Sequence, residues 1–168
     1  MEAEALYWRA VHVFRRRLGK GHFEVGFNLG QLAALCHASD RLGEASRLYG
    51  RALRILRGVL GERHPVVALC LTNFAALRVA QRRAPEAQAL YRQALSAYRS
   101  SMGAKHPDTL ACAHDLAAVT LETRGGASGW RGCRKIGPIG SRVDGATPEA
   151  CPRTGSPGQQ KTMGSPGA

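Results

Sequence analysis

Hydrophobic positions along this chain follow two superimposed rhythms. Within residues 2–18, Ala5 and Leu6, then Ala10, then Val13 and Phe14 recur at steps of three to five, the spacing of one helix face, and Arg15, Arg16 and Arg17 complement the negative helix end. Gly19 then supplies a stop, and Gly61 and Gly103 supply equivalent stops further on. After each stop a short turn leads into another helix, opened by His64-Pro65 and His106-Pro107, where proline suits a first turn because its missing N–H has no helical partner there. These segments, roughly 24–39, 66–82 and 108–124, carry apolar faces of Leu29, Leu32 and Leu35, then Leu71, Phe74 and Leu77, then Leu116 and Val119. Small residues sit among them, Ala33-Ala34, Ala75-Ala76 and Ala117-Ala118, where helices can approach closely.

The second rhythm has a period of 42 residues. A shift by that amount superimposes Glu2, Glu44 and Glu86; Ala3, Ala45 and Ala87; Leu6, Leu48 and Leu90; Tyr7, Tyr49 and Tyr91; Ala10, Ala52 and Ala94; and His22, His64 and His106. A fixed period in this range marks stacked units, each burying its apolar face against its neighbours. Connectors at Ser39–Gly43 and Arg82–Pro85 are short, so successive helices run antiparallel. The organisation expected is all-α: a helical region over residues 1–124, with an unpaired helix at 2–18, pairs at 24–58 and 66–101, and an unpaired helix at 108–124. That count suggests a segment cut from a longer array, with Leu110, Leu116 and Val119 left exposed where a further helix would dock. Residues 125–168 are rich in Gly, Pro and Ser without an apolar period, and a disordered basic tail is expected there.

Charge adds a bias toward acidic partners. The formal net charge is +12, with 18 basic against 10 acidic residues in 1–124. That favours acidic peptide, nucleic acid or anionic surface without choosing among them. The N-terminus opens with acids and lacks a signal-type apolar core, and no run of about 18 apolar residues exists to span a membrane. Five cysteines, Cys36, Cys70, Cys112, Cys133 and Cys151, show no CxxC pair, so reduced thiols in a cytoplasmic setting are expected, three of them filling helix interfaces.

Candidate chemistry is sparse. His22, His64 and His106 share the period, but packed helices lie about 8–10 Å apart, too far for one zinc with ligands at about 2.1 Å; helix-start roles are expected, with no metal and no cofactor. The periodic tyrosines read as wedges between pairs rather than a base-stacking platform. Arg78, Arg82 and Arg83 gather at a helix end, as a phosphate site or, preferably, a solvated terminus. Neither a nucleophile with its base nor a phosphate-cradling loop is present in the pattern, so an enzyme is not expected.

The stretch LCLTNFAALRVAQRRAPEAQALYRQAL from Leu69 to Leu95, with LGERHPVVA from Leu60 to Ala68, resembles tetratricopeptide repeats of the 42-residue kind found in kinesin light chains and nephrocystin-3-like proteins. Leu71, Phe74, Ala75, Ala87, Tyr91 and Ala94 fill that family's positions. The resemblance implies a right-handed superhelical solenoid whose concave groove holds an extended partner peptide. It places Thr72 and Asn73 where the family's LNNLA motif carries paired asparagines facing acidic cargo; the flanking copies depart, with Gly30-Gln31 and His114-Asp115. Helical period puts Phe27, Ala34 and His37 on one face, followed by Leu69, Thr72, Ala76 and Val79, then Ala111, His114 and Ala118. The candidate groove is therefore Phe27, Gln31, Ala34, His37, Leu69, Thr72, Asn73, Ala76, Val79 and His114. The expected function is a non-enzymatic module binding a protein or peptide, as a cargo adaptor or scaffold. The alternatives are a basic nucleic-acid-binding repeat and an inactive truncated or spliced product. Oligomeric state is left open.

Overall fold

The computed structural model describes residues 2–125, and within that span six helices follow one another: α1 (Glu2–Leu18), α2 (Phe23–Ala38), α3 (Leu42–Leu60), α4 (Pro65–Ala80), α5 (Ala84–Met102) and α6 (Pro107–Gly125). No strand occurs among the described residues. The expected disordered tail lies outside them.

The 42-residue period reappears as repeated local geometry. Gly19, Gly61 and Gly103 end α1, α3 and α5 with φ of +92°, +79° and +88°. His22, His64 and His106 then start the following helices in the same way: each Nδ1 accepts the backbone N–H two residues on, from Glu24, Val66 and Asp108, at 3.2 Å. One of the unpaired donors at each helix start is thereby satisfied.

The opposite turns are built by another device. Asp40 and Arg82, one period apart, have φ of +61° and +60°. The N–H of Arg41 bonds Cys36 O and that of Arg83 bonds Arg78 O, both at 2.9 Å, closing a Schellman-type end on α2 and α4. Because this reversal consumes three residues, α3 and α5 begin at Leu42 and Ala84, earlier than the periodicity alone suggests. Salt bridges brace both turns: Arg41 with Glu44 and with Glu4 of α1, and Arg83 with Glu86.

Packing groups the helices as A and B members of repeated units. The most extensive contacts join α2 to α3 and α4 to α5; smaller ones join α1 to α2, α3 to α4 and α5 to α6, which gives a solenoid of helix pairs. Between α2 and α3 the approach is close at Gly26, where an added Cβ would lie 2.9 Å from Ile55 Cγ2 and 3.1 Å from Leu56 Cγ. One continuous core runs through the units, including Leu29, Leu56, Leu71, Leu77 and the alanines Ala33, Ala45, Ala75 and Ala87. Tyr49 and Tyr91 are both buried.

One expectation about the last helix is corrected. Val119 is fully buried and Leu116 packs against the core, because α6 turns its 112–116–119 face onto the preceding unit. The large apolar side chains left outward on α6 are Leu110 and Leu121.

Candidate functional site

α2 and α4 are apolar nearly all round, since each is enclosed on several sides, and α6 follows them in the same register. The ten candidate groove residues lie on these three helices. Gln31, Ala34, Thr72, Asn73, Ala76 and Val79 are buried; Phe27, His37 and Leu69 are half-buried; His114 is exposed. The stripe is thus closed over most of its length, with its accessible parts at Phe27, His37, Leu69 and His114.

Specific contacts tie parts of the stripe to its surroundings. The Phe27 ring lies 5.7 Å from that of Phe23. The Thr72 hydroxyl donates to Ala68 O at 3.0 Å, one turn back, and sits 4.0 Å from Cys112 Sγ on α6. Its donor is therefore already engaged. Asn73 is different: the side chain is 2% exposed, and both its Oδ1 and its Nδ2 are closed from solvent with no hydrogen-bond partner among the described residues. An orphaned buried amide costs about 1–3 kcal/mol and calls for a reason.

Beside this stripe the structure assembles a cluster that helical spacing did not reveal. Tyr49 of α3 stacks on Phe74 of α4 at 5.6 Å between centroids, and the Arg78 guanidinium lies 4.6 Å from the other ring's centroid, that of Phe74. Arg78 also donates to Gln81 Oε1 at 2.6 Å and meets Glu86 of α5 at 3.2 Å. Its side chain is only 14% exposed, so it is a packed cation and not the solvated helix end that the sequence favoured. Burial lowers its pKa, opposed by Glu86. The sequence signal was available in the register of Glu44 and Glu86, which places a carboxylate at the start of each B helix, but nothing in the spacing marked Arg78 as its partner.

The thiols are part of the helix interfaces. Cys36, Cys70 and Cys112 are free and buried. Burial pushes Cys70 up to about 12 and Cys112 up to about 11, and raises Cys36 less. Such thiols stay protonated and unreactive at neutral pH. Among the described residues no three His, Cys, Asp or Glu side chains gather as a metal site, and no helix is long and apolar enough to cross a membrane.

The comparisons with known proteins bear on the family. No curated protein matches the sequence significantly. The tetratricopeptide repeat family model matches twice, over residues 29–100 and 68–125, so that the two matches overlap by one helix pair and together run from α2 to α6. The repeating A and B helices, the buried tyrosines one period apart and this match agree: the chain belongs to the tetratricopeptide repeat family, whose repeats generally mediate protein–protein interactions.

Proposed function

We propose that the chain is a non-enzymatic binding module that takes an extended segment of a partner protein along the face formed by α2, α4 and α6. The observation that carries this reading is Asn73, an amide kept buried and unpartnered at the centre of the candidate stripe. A peptide backbone offers both groups that such an amide lacks, an N–H for Oδ1 and a C=O for Nδ2. Because the amide is closed from solvent, binding requires the side chains over it to swing aside. Half-buried Leu69, one turn before it, provides apolar contact beside it, and a net charge of +12 steers acidic segments toward the chain. Likeness to the kinesin light chain and nephrocystin-3 type, and a role as cargo adaptor or scaffold, belong to this same reading. The three buried reduced thiols fit a cytoplasmic setting.

The test begins with selection of binders from a random-peptide display library on the 168-residue chain. Affinities of the selected peptides are then measured for the wild type and for Asn73→Ala, with a labelled single-stranded RNA oligonucleotide as comparator. Selected peptides whose affinity falls in Asn73→Ala and depends weakly on salt support the groove. Failure to select any peptide, together with RNA binding that falls steeply with log salt, favours the nucleic-acid reading instead.

A further inference from the structure

α1 and α6 each pack chiefly against one neighbour, and each leaves a face open that the internal helices bury. In the 42-residue register α1 matches the B helices α3 and α5, whereas α6 matches the A helices α2 and α4. On α1 the stripe Ala3, Leu6, Ala10 and Val13 corresponds to Ala45, Leu48, Ala52 and Ile55 of α3. Ala45, Leu48 and Ala52 are buried there, while Leu6 is 61% and Val13 47% exposed. On α6, Leu110 is 58% exposed and Ala117 is exposed; their counterparts in α4, Ala68 and Ala75, are fully buried. The open face of α1 is therefore that of a B helix without its A helix, and the open face of α6 that of an A helix without its B helix.

We propose that these two faces meet in trans: α6 of one copy pairs with α1 of a second copy, as α2 pairs with α3, so that copies join head to tail. In register with the internal pair α2 and α3, Ala117 and Ala3 of the second copy take the places of Ala33 and Ala45, both fully buried, and small side chains at these places allow close approach. At the far end Leu110 and Val13 fall where Gly26 faces Ile55, and because an added Cβ at Gly26 would already lie 2.9 Å from Ile55 Cγ2, the two helices stand further apart there than α2 and α3 do. Charge favours the same partner. α1 carries Arg9, Arg15, Arg16 and Arg17 against two glutamates, while α6 carries Asp108, Asp115 and Glu122 against one arginine in its sequence. The contact is heterologous, so it leaves a free α1 at one end and a free α6 at the other, and growth is linear.

The experiment is sedimentation equilibrium of the full 168-residue chain across its soluble concentration range, with Leu6→Glu and Leu110→Arg. Both substitutions are at exposed positions, and circular dichroism checks that helicity is kept. The expected result is an average mass that rises with concentration in the wild type, monomer in each variant alone, and a one-to-one dimer when the variants are mixed, because each then supplies the face the other lacks. A wild type that stays monomeric throughout overturns the proposal. So does self-association of either folded variant, or a mixture that remains monomeric.

Discussion

The ring of Tyr49 stacks on the ring of Phe74 with centroids 5.6 Å apart and planes inclined by 30°, joining the second helix of one repeat to the first helix of the next. Arg78 lies against Phe74 and is held by Glu86 of α5, so a single aromatic side chain links three helices. Phe74→Ala removes that link, and because the ring is half-buried the expected loss is about 2 kcal/mol, below the range of about 3–5 kcal/mol for fully buried aromatics. Phe74→Leu, which copies Leu32 and Leu116 at the equivalent places, is expected to cost less than about 1.5 kcal/mol. Urea unfolding midpoints at unchanged slope provide the check.

Two kinds of positive-φ residue make opposite forecasts. Arg82, at φ +60°, carries a side chain in the left-handed region where glycine costs least, so Arg82→Gly is expected to stabilise by about 0.5–1 kcal/mol. Gly61, at φ +79° and ψ 165°, sits in a region that is essentially glycine's alone; Gly61→Ala is expected to cost about 1–3 kcal/mol. Open space surrounds Gly61, with nothing within 4 Å of an added Cβ. A loss in thermal stability there therefore reports backbone strain and not a clash.

Acidification acts through the helix-start histidine. His64 Nδ1 accepts the Val66 N–H, a role only the unprotonated nitrogen can fill, and burial lowers the pKa of His64 from its ordinary 6.5. As pH falls below 6.5 the unfolded chain takes up a proton that the folded chain still refuses, so this group's contribution to stability is present above 6.5 and lost as pH falls through the lower folded value. His64→Asn keeps a capping acceptor without a titration in this window. The variant is expected to lose less stability than the wild type between neutral and mildly acidic pH, measured as the difference in thermal midpoints. Equal losses contradict the capping role.

Thiol labelling separates folded from unfolded chain. With Cys70 and Cys112 pushed up to about 12 and 11 by burial, iodoacetamide at neutral pH is expected to spare both until denaturant is added. Peptide mass spectrometry gives the modified fraction at each position. Rapid labelling of Cys70 in the folded chain contradicts its place in the interface.

The repeat was legible because the same local problem is solved with the same residues each time: glycine to end the B helices, histidine to begin the A helices, tyrosine to fill the gap between units. The reversals at Asp40 and Arg82 were not legible, since neither residue is the glycine that usually marks a left-handed turn. The candidate groove was legible only as a helical stripe. α2 and α4 are enclosed on several sides, so their apolar pattern has no polar edge to show which positions stay open, and the burial of Ala76 and Val79 became clear only once neighbouring helices were in place. The packing of Arg78 was not legible for a related reason. Spacing shows charge at a helix end but not the ring beneath it or the Glu86 carboxylate beside it.

Asn73 tests the central claim most directly, because binding and stability are expected to move separately there. Asn73→Leu removes the orphaned amide and keeps its branching at Cγ with somewhat greater bulk, so relief of the unpaired polar group is expected to leave the fold unchanged or more stable in urea. The dissociation constant of a library-selected peptide is the decisive measurement, made by calorimetry on the wild type and on Asn73→Leu at matched helicity. A loss of affinity of about tenfold or more, near 1.4 kcal/mol, with stability retained is the expected result. Equal affinities for the two chains contradict the placement of the partner's segment on this face.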